Sequence, residues 1–201
     1  MKKPFALLAL LSSAALAGAP CLTFDAQEYC LSWASVDGAT TSNEYLRSGE
    51  TVDAWVRMVT VKDYAGTKEL KDFIPGYMDS VRPYMAMKAD VFGPNEKKHK
   101  DELLLLLLLL APDKSHYEYV IHRVYVDEEG PVRSVIFSLR IPFAKQVSFN
   151  EVMKSRDGWM KELSGLEPQA LTKLPEPSNQ PLHPTPTAAE APASGAGERR
   201  R

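Results

Sequence analysis

The sequence predicts an α+β domain, one mostly antiparallel sheet with two main helices packed on it. Three observations carry that expectation. Short β-branched and aromatic runs alternate with turn residues, eight consecutive leucines are bracketed by turn signals, and two stretches keep apolar residues at helical spacing.

The chain opens with Lys2 and Lys3, an apolar run from Phe5 to Leu16, and the small residues Ala17, Gly18 and Ala19. That order is the pattern of a secretory signal peptide, so residues 1–19 are expected to be a removed leader. The apolar run is shorter than the roughly 18 residues of a membrane span. Ala17 and Ala19 satisfy the small-x-small rule; a cut after Ala19 would leave Pro20 first, which a peptidase handles poorly, and a cut after Ala17 also fits. Gly18, Ala19 and Pro20 before Cys21 do not resemble the Leu-led lipobox of bacterial lipoproteins.

At the other end, seven of the fifteen prolines lie between Pro168 and Pro192 among Ala, Thr, Ser and Gly, and Leu171, Leu174 and Leu182 are the only apolar bulk. Such a composition cannot offset the entropy of ordering, so residues 167–201 are expected to be a disordered tail. Between leader and tail, residues 20–166 suit one domain with one core. The 24 basic and 26 acidic residues give no reason to expect nucleic acid as a partner. Export would place Cys21 and Cys30 in an oxidising compartment. They either close a short disulfide loop, contributing about 2–3 kcal/mol by the chain-entropy model, or stand as two unpaired thiols.

Within the domain, Trp33 sits in a short apolar stretch, and Thr41 to Leu46 leads through Ser48, Gly49 and Glu50 into Trp55 to Val61. All three read as strands from their β-branched and aromatic content. A helix is expected from Thr67, with Leu70, Phe73, Ile74, Tyr77, Met78 and Val81 on one stripe, kinked or split by Pro75 and Gly76. For Leu103 to Leu110, propensity favours helix. Length argues otherwise: eight residues make a helix only about 12 Å long, whereas a strand spans about 26 Å and buries both faces. Gly93, Pro94 and Asn95 before it, and Pro112, Asp113 and Lys114 after it, bracket a central strand. Covering both its faces requires layers on both sides of the sheet.

His116 to Val126 and Val132 to Ile141 flank Asp127 to Pro131 as the arms of a hairpin. Val135, Phe137, Leu139 and Ile141 alternate with Ser134, Ser138 and Arg140, the pattern of a sheet with one face on the core. Ser148 with Glu151 makes a capping box for a second helix that carries Phe149, Val152, Met153, Trp159, Met160 and Leu163 and ends at Gly165.

The sequence contains no Gly-x-Ser-x-Gly, Walker loop, His-Glu-x-x-His, Cys-x-x-Cys or dinucleotide fingerprint. His116, Glu118 and His122 share strand parity and so one face. Two imidazoles and a carboxylate are zinc-ligand types, but the two histidines would lie about 20 Å apart on an extended strand, so neither metal nor other cofactor is expected. His-x-Glu at His116 to Glu118 lacks the Pro-Cys-x-x-Cys partner of zinc deaminases. The acidic turn Asp127 to Glu129 lacks the spaced ligands of a calcium loop. Tyr117, Tyr119 and Tyr125 share the opposite parity and either line a ligand groove or pack at the sheet margin. Lys97, Lys98, His99 and Lys100 read as a solvated turn that keeps the leucine strand soluble.

The segments Asn43-Glu44-Tyr45-Leu46, Gly49-Glu50, Trp55, Arg57 to Val61 and Gly130 to Ser134 together resemble small exported uncharacterised bacterial proteins with a Trp-led strand and a late β-hairpin. The resemblance runs from about Phe24 to Leu166 and implies export and an α+β domain. It implies no activity, cofactor or catalytic residue. Two function classes follow. One is a cell-envelope binding or accessory protein without catalysis, its partner an envelope protein or a small ligand. The other is an exported hydrolase whose site gathers scattered residues such as Asp90, His116, Glu118 and His122.

Overall fold

A computed structural model describes residues 20–93, 99, 101–127, 130–143 and 149–166. The expected leader and the expected tail, Ser148 of the expected capping box, Glu128 and Glu129, and Lys97, Lys98 and Lys100 lie outside them.

Eight strands form one antiparallel sheet: β1 (Cys21–Phe24), β2 (Gln27–Asp37), β3 (Thr40–Leu46), β4 (Arg57–Tyr64), β5 (Asp90–Phe92), β6 (Glu102–Leu110), β7 (His116–Val126) and β8 (Val132–Pro142). Helix α1 (Leu70–Val81) and a single 3-10 turn at Arg82–Tyr84 separate β4 from β5, and α2 (Phe149–Gly165) follows β8. The spatial order β1-β2-β3-β4-β8-β7-β6-β5 describes two four-strand meanders. The segment containing α1 carries the chain from the middle of the sheet to its far edge, and β8 returns to zip against β4 over eight residue pairs. No helix among the described residues is long and apolar enough to cross a membrane.

Alternation along the strands divides the core in two. Phe24, Tyr29, Leu31, Tyr45, Val59, Phe137, Ile121 and the even-numbered Leu104, Leu106 and Leu108 pack with Val152, Trp159 and Leu163 of α2. On the opposite face Leu105, Val124 and Val132 meet Leu70 and Phe73 of α1. The leucine run is therefore a strand buried on both faces, as its length and bracketing demand. It is not central, however. It lies seventh of eight, and its outer neighbour β5 pairs with only Leu104, Leu105 and Leu106. The chain after α1 extends that cover: Met85 bridges to Leu109, and the Ala86 N–H donates to the Leu108 carbonyl at 2.8 Å.

Other expectations are corrected in detail. Helix α1 begins at Leu70 because the Thr67 carbonyl is already taken by the Val132 N–H at 2.7 Å, at the end of the sheet. It runs through Pro75 unbroken; the carbonyl that Pro75 cannot reach belongs to exposed Lys71, where water can satisfy it. Strand β8 is buried on both faces, with Ser134 and Ser138 under cover as well as the apolar residues opposite. Strands β1 and β5 carry no alternation long enough to read. The β1–β2 turn consists of Asp25 and Ala26, both at positive φ (51° and 54°), where glycine would ordinarily signal such a hairpin. Glu162 of α2 accepts from the Asp25 N–H at 2.8 Å, and Arg57 pairs with the Asp25 carboxylate, so contacts from other elements hold the turn. A disulfide joins Cys21 and Cys30, which face each other directly across β1 and β2.

Candidate functional site

Helix α1 roofs only part of its face. Its apolar partners lie on β4, β6, β7 and β8, and none is on β2 or β3. On the uncovered part an open hollow of about 480 Å³ is lined by Trp33, Ser35 and Asp37 of β2, Thr40, Ser42 and Glu44 of β3, and Lys62 of β4, with Val36 at its rim.

A β-bulge puts Trp33 there. Leu31 pairs with Tyr45 and Trp33 with Glu44, so Ser32 is an extra residue on β2. In an unbroken strand Trp33 would share a face with Tyr29 and Leu31 and point under α2. The inserted residue turns it to the opposite face, beside Glu44, while Ala34 takes the inward position.

Register then fixes the neighbours. Trp33, Glu44, Thr60, Ile136 and His122 form one row across five strands, and Lys62, opposite Ser42, is the diagonal neighbour of Glu44. Burial raises the Glu44 carboxyl above its ordinary range, with the positive charges of Lys62 and Arg140 opposing the shift. Neither Glu44 nor Lys62 has a hydrogen bond or ion pair among the described residues. The hollow thus holds a partly desolvated acceptor and a cationic donor, both unengaged, next to an aromatic ring.

At the roofed end of the row, His122 is fully buried under α1. Its Nε2 is 2.6 Å from Ser134 Oγ, and the Tyr77 ring meets the imidazole edge-on at 4.6 Å between centroids. Burial first, and the Lys62 charge second, lower its pKa to about 3, so the ring is neutral. This resembles a nucleophile-base pair in composition, but both side chains are sealed from solvent and no substrate can reach them.

The whole pattern belongs to a wider group of sequences: residues 17–167 match the model of an uncharacterised protein family. The chain is a member of that family. No curated protein and no solved structure matches it.

The family assignment fits the resemblance carried by Asn43 to Leu46 and Trp55, and the structure relocates the residues singled out for chemistry. His116, Glu118 and His122 do share the α1 face, but His116 and Glu118 sit at its far end, 3.2 Å apart. There Arg140 lies 3.5 Å from Glu118 and stacks 3.8 Å above Trp55, so these groups serve an ion cluster remote from His122. Asp90 pairs with Leu106 and is exposed on the other side of the sheet. Of the four residues offered for a hydrolase, only His116 and Glu118 are brought together. Tyr119 and Tyr125 are buried on the α2 side, with Tyr117 partly buried beside them, so the row packs in the core instead of lining an open groove. Among the described residues, Cys21, Glu28 and Cys30 are the only group of three or more metal-ligand types close enough to hold an ion, and both sulfurs there are committed to the disulfide.

Proposed function

We propose that the chain is an exported cell-envelope protein, with residues 1–19 removed as a leader and residues 167–201 a disordered tail. Its domain binds a small polar ligand, without catalysis, in the hollow over β2, β3 and β4. The observation that carries this reading is the pairing of Glu44 and Lys62, half-buried, unengaged and adjacent on a face that α1 leaves open. Partly desolvated polar groups cost stability unless something completes their hydrogen bonding, and a ligand does so. The bulge at Ser32 supports the same reading, since it moves a large aromatic ring out of the core to stand beside them. The separation of Asp90, His116 and His122 weighs against a hydrolase built from those residues.

Three measurements test the reading. Intact mass of material recovered outside the cytoplasm is expected to show a chain beginning between Gly18 and Pro20; retention of Met1 removes export. A screen of polar metabolites against isotope-labelled protein is expected to shift the Trp33 indole and the Ser42 and Glu44 amides. Hydrolytic turnover abolished by Glu118→Ala in a folded protein would replace binding with catalysis.

A further inference from the structure

The composition and shape of the hollow narrow the ligand class. This step rests on the reading of the hollow as a binding site. Glu44 and Asp37 offer carboxylate acceptors, Lys62 offers three donors, and Ser35, Ser42 and Thr40 offer hydroxyls that do either. A ligand matching that mixture has many groups that donate and accept alike. Two carboxylates against one ammonium disfavour an anion, and Lys62, with Arg140 close enough to act on Glu44, disfavours a compact cation. A neutral polyhydroxylated molecule satisfies both signs at once.

Trp33 adds a second requirement, an apolar face. An indole beside polar side chains offers a flat hydrophobic platform, and a ligand that covers it must be planar and apolar on one side and hydrogen-bonding at its edge. The setting is shallow and broad: three strands at about 4.8 Å spacing make a floor about 10 Å wide, which suits rings lying flat better than a ligand inserted end-on. The volume of about 480 Å³ falls within the usual range of small-molecule sites.

We infer that the hollow receives a neutral sugar, one ring face lying on the Trp33 indole while Glu44 and Lys62 bond its hydroxyls. In that pose Glu44 accepts from two neighbouring hydroxyls and Lys62 donates to a third oxygen, so both unengaged groups are completed by one residue of the glycan. Raised by burial, the Glu44 carboxyl gains from hydroxyl donors, which replace the water it has lost.

The test is an amide and indole NMR titration of the full purified chain with neutral trisaccharides (maltotriose, cellotriose, chitotriose), and in parallel with glycine betaine and an uncharged-side-chain dipeptide. At least one trisaccharide is expected to shift the Trp33 indole N–H and the Ser42, Glu44 and Lys62 amides. Trp33→Ala should abolish the response, and Glu44→Gln and Lys62→Met should each weaken it about tenfold. Glu44→Gln, nearly isosteric, decides the matter if Trp33→Ala does not fold. If the sugars are silent while betaine or the dipeptide shifts those same residues, the ligand class is wrong and the binding site stands. If neither set shifts them, or sugars shift only residues elsewhere, both the sugar and the site are overturned.

Discussion

Arg123 and Glu102 form an ion pair with no solvent exposure on either side chain, Arg123 Nε donating to Glu102 Oε1 at 2.6 Å. The same guanidinium donates through Nη1 to the Leu166 carbonyl at 2.7 Å and, more weakly, to that of Leu163 at 3.4 Å. It also lies 4.8 Å from the Tyr125 ring centroid. One side chain on β7 therefore ties the first residue of the leucine strand to the C-terminal end of α2, where helical carbonyls lack intrahelical partners. The pair is a junction between sheet and helix, and its worth lies in orienting α2 over the larger core.

Breaking it on one side should be severe. Arg123→Met takes the guanidinium away from the buried Glu102 carboxylate, to which the His99 N–H still donates at 3.4 Å, and releases the α2 carbonyls; it is expected to cost about 3–5 kcal/mol in urea unfolding. Adding Glu102→Leu should recover much of that loss, because the buried carboxylate goes with it. A double variant as unstable as the single one would show that the carbonyl contacts, not the buried charge, carry the cost.

The leucine strand gives a second prediction. Leu106 packs on the α2 side, while Leu107 is on the other face and equally inaccessible. Asp at either position should prevent folding, since an unpaired carboxylate would enter a closed layer. Leu106→Ala and Leu107→Ala should each cost about 2–5 kcal/mol by thermal or urea unfolding. If either Asp variant melts at the parent temperature, the sheet is open on that side.

Both residues come from a part of the fold legible in the sequence. Eight leucines are too few for a helix of useful length and long enough for a strand, and the hairpin of β7 and β8 follows from its alternation and turn residues. Strand order was not legible, because nothing in a single sequence says that β8 returns to β4 and leaves β6 one place from the edge. The ion pair left a faint signal: Arg123 occupies the inward parity of Tyr119, Ile121 and Tyr125, where a charge demands a buried partner. The hollow was hidden for a sharper reason. Strict alternation places Trp33 with Tyr29 and Leu31, and only the pairing across to β3 reveals the extra residue that turns it outward. Glu44 and Lys62 meet Trp33 through register between three strands, which their spacing in the chain does not encode.

His122 predicts a pH dependence. Its pKa is about 3 in the native protein, against about 6.5 in an unfolded chain. The unfolded state thus binds the proton more tightly, so the contribution of this group to stability is complete above pH 6.5 and falls as pH drops toward 3. The slope approaches about 1.4 kcal/mol per pH unit within that window. Carboxylates add slopes of their own, so the measurement is a difference: urea unfolding of the parent and of His122→Gln between pH 7 and pH 4. Gln should be less stable at pH 7, having lost the fit to Ser134 and Tyr77, and the gap should narrow on acidification. A constant gap would mean that the imidazole takes up its proton in the folded state. The His122 ring resonances should also stay fixed across that range.

Glu44 works in the opposite direction. Burial raises its folded pKa, so the native state holds the proton more tightly than the unfolded chain does. Its stabilising contribution is present below the ordinary carboxylate pKa and is withdrawn as pH rises through the raised value. At neutral pH the ionised carboxylate sits where folding alone would prefer a neutral group. Glu44→Gln should therefore leave the fold intact and raise its stability at pH 7, on the order of 0.5 kcal/mol, with the gain vanishing in acid. The same substitution should weaken ligand binding in the hollow, because a carboxylate accepts hydroxyl hydrogen bonds more strongly than an amide does. Greater stability with poorer binding would mark Glu44 as a residue held for function at a cost to the fold. Lower stability at pH 7 would instead make it a structural part of the β2–β3–β4 sheet, kept in place by Lys62 and Arg140, and would remove the main support for a ligand there.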